Sequence, residues 1–198
     1  GIATYSAASI SGTHFISNSA TVYGGGVFMF LIMSVSDAAI TNTTFQSNTA
    51  TAGGGMLTLS GSTIGIGNSR FIANTATNEG GGLQLVSASN VTLASNRFHD
   101  NSAGSEGGGL YVANSTITLT NNFIAANTGV TTTGAAEIGV GSEDGSVIYG
   151  YHNTFAAKTA GQGVAVDVGN GGADTVVLTD SIFSGYSVGA SVSDITSS

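Results

Sequence analysis

Apolar and polar residues alternate along this chain in short stretches, and the stretches recur. Apolar residues stand seven and five positions ahead of a phenylalanine: Ala8 and Ile10 before Phe15, Ala38 and Ile40 before Phe45, Ile64 and Ile66 before Phe71, Val91 and Leu93 before Phe98, Val176 and Leu178 before Phe183. Counting from Ile124 gives Ile117 and Leu119. Period 2 marks strands with one buried face. A second apolar stretch follows each of four glycine triplets, at Gly24-Gly25-Gly26-Val27, Gly53-Gly54-Gly55-Met56, Gly80-Gly81-Gly82-Leu83 and Gly107-Gly108-Gly109-Leu110. Degenerate triplets follow at Gly134-Ala135-Ala136 and Gly161-Gln162-Gly163, and successive starts lie 29, 27, 27, 27 and 27 residues apart.

A third mark is Phe-x-x-Asn: Phe15 with Asn18, Phe45 with Asn48, Phe71 with Asn74, Phe98 with Asn101. The next coil slips by one, so that Ile124 with Asn127 takes the role, and Phe155 and Phe183 continue the aromatic column alone. A period near 27 with two or three short strands per repeat predicts an all-β fold, a right-handed single-stranded parallel β-helix (solenoid) of about seven coils. Stacking at about 4.8 Å per coil makes a rod of roughly 34 Å. The Phe column is expected to stack in the core. The Asn column is expected to form a ladder at a turn, each amide bonding the coils above and below. The triplets serve sharp turns where no Cβ fits. We expect a single domain over residues 1–198, with clear repeats in 8–130 and degenerate ones in 131–198.

The glycine tetrapeptide paired with Phe-x-x-Asn resembles the polymorphic outer-membrane protein repeat of chlamydial autotransporter adhesins, although the third residue is Gly here where that pattern has Ala. The resemblance implies a β-helix at the cell surface or outside the cell, acting as a stalk or adhesive module. It implies no reaction.

Composition narrows the choice further. The chain has 198 residues, no Pro, Cys or Trp, and a net charge of −8 with three Lys and Arg in all. Such a surface disfavours nucleic acid. Without Cys there are no disulfides or thiolate metal sites. The longest apolar run, Val27 to Met33, is too short to span a bilayer. Missing Pro suits interior strands that must donate hydrogen bonds to both neighbours.

Catalysis finds little material. Arg70 and Arg97 each precede a column Phe and are expected to stack facing solvent. Glu79 and Glu106 each precede a triplet, 27 apart, and are expected one coil apart, close enough to repel or to share a cation. They are the weak cation candidates; no cofactor and no catalytic residue is expected. Asp167, Asp174 and Asp180 are read as strand-edge or turn residues. A non-catalytic structural or adhesive module is therefore the expected function, a β-helix polysaccharide lyase or hydrolase the alternative, and an ice-binding solenoid, from the small and Thr-rich outward slots, a second alternative.

An outward column after the triplets reads Phe28, Leu57, Gln84, Tyr111, with Phe30 beside it. Phe28, Phe30, Leu57 and Tyr111 are the expected interface residues, the first three forming an exposed apolar patch unless residues 33–38 cover it. Among three sequons, Asn90 and Asn114 are the glycosylation candidates, because Asn42 has inward parity. Neither end of the chain resembles a polar cap. The expected partners are therefore other copies, head-to-tail or lateral, or further coils of a longer parent chain, with a surface glycan or protein as a further candidate.

Overall fold

The spacing of small and apolar residues produces a solenoid in which each residue sits above its own kind. The computed structural model describes residues 1–5, 8–30, 37–129, 138–161, 163–169 and 174–192. All pairings between strands are parallel, as a coil that winds back on itself requires. One sheet runs through the column phenylalanines and holds seven strands, Ile182–Ser184 at one end and His14–Ile16 at the other, so six turns separate first from last. A larger sheet carries the strands after the triplets, and a short one carries Thr49–Ala50, Thr75–Ala76 and Ser102–Ala103. The degenerate triplet at Gly134 and residues 194–198 lie outside the described residues.

The register is the one the repeat predicts. Phe15, Phe45, Phe71, Phe98, Ile124, Phe155 and Phe183 are successive partners. Rings stack nearly parallel at 5.2 Å for Phe15 on Phe45, 4.7 Å for Phe45 on Phe71, 4.6 Å for Phe71 on Phe98 and 5.0 Å for Phe155 on Phe183. One expectation fails. Phe183 belongs to the column but is 40% exposed, because its strand is the last described one of the sheet and is covered on one side alone.

The Asn ladder forms as expected. Asn18 Nδ2 donates to Asn48 Oδ1, Asn48 to Asn74, Asn74 to Asn101 and Asn101 to Asn127, each at 2.9 Å. The same Oδ1 atoms accept the backbone N–H of the preceding coil's Asn. The second Nδ2 proton of Asn48, Asn74 and Asn101 goes to the carbonyl of Phe15, Phe45 and Phe71. The amide thus satisfies backbone groups that a turn would otherwise leave unpaired. A second ladder stands two residues before each column Phe. Ser69 N donates to Asn96 Oδ1, Asn96 N to Asn122 Oδ1 and Asn122 N to Asn153 Oδ1, all at 2.9 Å, while Nδ2 of these asparagines reaches the carbonyls of Ile66, Leu93 and Leu119.

Each ladder follows a residue held in the left-handed region. Gly12, Asn42, Asn68, Ser95, Asn121, His152 and Asp180 precede one, and Ser17, Ser47, Ala73, Asp100 and Ala126 precede the other. This reverses the side-chain direction, which corrects the reading of Asn42: it is exposed, not inward. The triplet glycines have two distinct reasons. The first has positive φ, as at Gly80 (φ 68). The second and third meet the next coil's backbone: a Cβ on Gly81 would lie 2.4 Å from the Ser102 carbonyl oxygen. By contrast, a Cβ on Gly65 meets nothing within 4 Å.

Four substitutions test this account by denaturant midpoint. Phe71→Ala is expected to cost about 3–5 kcal/mol, since the ring is fully buried between two others. Gly81→Ala is expected to destabilise strongly, whereas Gly65→Ala is expected to be neutral or to stabilise by up to about 1 kcal/mol. Thr58→Val is expected to stabilise by about 1–2 kcal/mol, because Thr58 Oγ1 is buried in the column of Met29, Leu85 and Val112 with no hydrogen-bond partner.

Candidate functional site

Chemistry gathers where the chain enters each triplet. Tyr23, Ala52, Glu79 and Glu106 hold the same place in successive coils: Tyr23 bridges to Ala52, Gly53 N donates to the Glu79 carbonyl, and Gly80 N donates to the Glu106 carbonyl at 3.2 Å. The positive φ of the following glycine folds this arm over the outward face of its own strand. A Cβ on Gly53 would lie 2.5 Å from Leu57 Cβ, one on Gly80 2.6 Å from Gln84 Cβ, and one on Gly107 2.6 Å from Tyr111 Cβ. In the first coil Tyr23 stacks on Phe28, with ring centroids 5.5 Å apart.

That arm corrects the expected interface. Leu57 and Tyr111 do point away from the core, but Leu57 is only 1% and Tyr111 only 7% exposed. Phe28 and Phe30 are half-buried and meet Tyr5 edge-on at 6.5 and 6.0 Å. What remains open is thus an aromatic cluster at one end, Tyr5, Tyr23, Phe28 and Phe30, beside a hollow of about 210 Å³. Residues 33–36, considered as a cover, lie outside the described residues.

Glu79 and Glu106 come together as the repeat predicts. With Ser105 and Tyr111 they line a cavity of about 130 Å³. Ser105 Oγ donates to Glu79 Oε1 at 3.4 Å. Glu79 is half-buried and Glu106 buried, its Cβ packed 3.2 Å from where Gly141 would carry one. Asp167 occupies the same outward column, paired with Gly141, and is buried within the strand Val164–Val168 rather than at an edge. Asp174 and Asp180 are turn residues as expected. Asp174 accepts from Ser146 N at 2.7 Å and Ser142 Oγ at 2.8 Å. Asp180 holds positive φ.

The basic side chains lie elsewhere. Arg70 and Arg97 are register partners, exposed on the outer side of the Phe sheet, and Arg97 sits 4.8 Å over the Phe123 ring. Lys158 lies 3.9 Å from Asp100, which also meets His99 Nδ1 at 2.9 Å. Among the described residues no three His, Asp or Glu side chains are grouped to hold a metal ion. No described helix is long and apolar enough to cross a membrane. Asn90 and Asn114 are exposed, Asn90 on a strand and Asn114 at a turn where Nδ2 donates to Ser87 Oγ at 3.2 Å. Sequence reasoning placed Gln84 in the outward column without giving it a role, and it overlooked Ser105, because neither repeats from coil to coil.

No curated protein and no solved structure matches the chain. A family model does: that of the right-handed β-helix region, over residues 1–144. Matched across most of its length, and wound as the Phe, Asn and glycine columns require, the chain belongs to the right-handed β-helix family.

Proposed function

We propose that this β-helix is a non-catalytic structural or adhesive module of an extracellular or cell-surface protein, such as a stalk or filament subunit. The observation that carries the reading is where the buried polar groups go. Asn48, Asn74, Asn101, Asn96, Asn122 and Asn153 are buried, and their side chains bond one coil to the next. A scaffold uses its polar groups this way. The resemblance of the glycine and Phe-x-x-Asn pattern to the repeat of surface adhesins supports the same location.

The rival is a polysaccharide lyase or hydrolase. A lyase needs a base and a charge-stabilising cation near one bond, and a hydrolase needs paired carboxylates flanking a sugar. Arg70, Arg97 and Lys158 are remote in the coil from the Glu79 and Glu106 arm, so the acidic and basic groups do not form one constellation. Incubation with a panel of acidic polysaccharides, with and without Ca²⁺, is expected to give no new reducing ends and no unsaturated product. Turnover lost on Glu79→Gln or Glu106→Gln would establish the rival instead.

The partner in this reading is another coil. On the last described strands Phe183 is 40% and Val188 42% exposed, whereas their register partners one coil before, Phe155 and Val164, are buried. An apolar strand edge of this kind accepts a further parallel strand. A second copy stacked on it forms a heterologous contact that does not close. Light scattering is expected to show association that grows with concentration and is lost in Val188→Lys. A monomer at high concentration would end the proposal that copies stack.

A further inference from the structure

The Arg70 and Arg97 pair runs against the rule that governs the sheet carrying it. Both side chains leave the outer face of the Phe sheet, exposed and in register, one coil or about 4.8 Å apart. Like charges directly opposite each other on a sheet are destabilising. The sheet does not require arginine at this column, since Thr44 and Thr154 fill it in other coils. The chain has eleven acids against three bases, yet among the described residues neither guanidinium forms an ion pair. Asp100, close by in the chain, instead meets His99 Nδ1 at 2.9 Å and Lys158 Nζ at 3.9 Å. A second, independent observation is the posture of Arg97. Its Cζ lies 4.8 Å from the centre of the Phe123 ring, half-buried in the next coil. A guanidinium laid on a ring is held by its face, so the N–H donors in its plane stay available and pre-organised.

We propose that Arg70 and Arg97 form a binding site for a phosphate monoester on the outer face of the Phe sheet. Charge complementarity carries the choice. One dianion offsets two stacked cations, whereas a carboxylate or a sulfate ester offsets only one of them. A phosphate monoester carries about −1.5 to −2 at pH 7. Its oxygens accept paired N–H donors from a guanidinium fork, a geometry for which Lys, a point charge, is no substitute. Thr44, on the other side of Arg70, brings a hydroxyl to the same column. The titratable and charged groups that share this face are His14, beyond Thr44, and His99, which is held by Asp100 beside Lys158.

The site stands whether or not copies stack, and it is tested on the whole chain. Arg70 and Arg97 are the only arginines, so the Nε–Hε region of a ¹⁵N spectrum holds two signals, assigned by Arg70→Gln and Arg97→Gln. Methyl phosphate is titrated at about pH 7.5 and about pH 5, on either side of its second pKa near 6. Methyl sulfate serves as the singly charged tetrahedral control. Saturating shifts of both signals are expected with methyl phosphate at the higher pH. Methyl sulfate, and methyl phosphate at the lower pH, are expected to bind at least about fivefold more weakly. Acidification charges histidine, so at His14 and His99 it would strengthen a nonspecific attraction for anions where this site weakens. Each glutamine variant, followed on the remaining signal, is expected to weaken methyl phosphate at least about fivefold, with far-UV spectra unchanged. Arg97→Lys, which keeps the charge and loses the fork, is expected to weaken it several-fold. Inorganic phosphate and glucose 6-phosphate, titrated alongside, distinguish a free ion from a sugar-borne ester by which binds more tightly. Equal binding of methyl phosphate and methyl sulfate, binding that survives both glutamine variants, or no shift up to about 50 mM would overturn the site.

Discussion

Every position in this molecule must tolerate its own image one coil above and one coil below. The parallel backbone ladder imposes that condition, because hydrogen bonds between successive coils fix both register and spacing. Side chains that gain from self-stacking are therefore selected column by column. Phenylalanine rings lie face to face, asparagine amides donate and accept in sequence, and glycines admit a neighbouring carbonyl where a methyl group would collide. Charge is the residue property least suited to such repetition, since like charges stack. The scarcity of Lys and Arg, and the dispersal of most acids to turns, follow from the same condition.

The turns carry as much of the architecture as the strands. A left-handed residue reverses the chain, and the next residue, an asparagine or a hydroxyl side chain, ties the freed backbone groups to the adjacent coil. Non-glycine residues in that conformation cost about 1–2 kcal/mol each, and Asn, Asp and Ser hold most of those positions. Repeated once per coil, this cost is offset by hydrogen bonds that no solvent could provide in a buried corner. The corners thus set the coil's cross-section, and the strands between them fill it.

Much of this was legible before any coordinates. The Phe and Asn columns, the slip at Ile124 and the juxtaposition of Glu79 with Glu106 follow from counting, because a solenoid converts sequence spacing into neighbourhood. The second ladder was equally countable in Thr43, Ser69, Asn96, Asn122 and Asn153, but its changing identity hid it beside the uniform Asn column. The burial of Leu57 and Tyr111 was not countable. Alternation says which side of a strand a residue takes, not what else lies on that side, and the arm that covers them is set by the positive φ of Gly53 and Gly107. Asn42 failed for a related reason: parity counted through a left-handed turn no longer holds. Phe183 failed because a column argument has no term for the last coil.

The same rule separates scaffold from site. Where a column is uniform, its residue serves the stack, and Asn74 or Phe71 needs no further explanation. Where a column changes from coil to coil, stacking cannot be what fixes it. The outward column under the arms runs Phe28, Leu57, Gln84, Tyr111, Gly141, Asp167, and the arm above it runs Tyr23, Ala52, Glu79, Glu106. Both pass from aromatic and apolar to polar and acidic along the rod. Like charges placed one above the other oppose the principle on which the rest of the molecule is built.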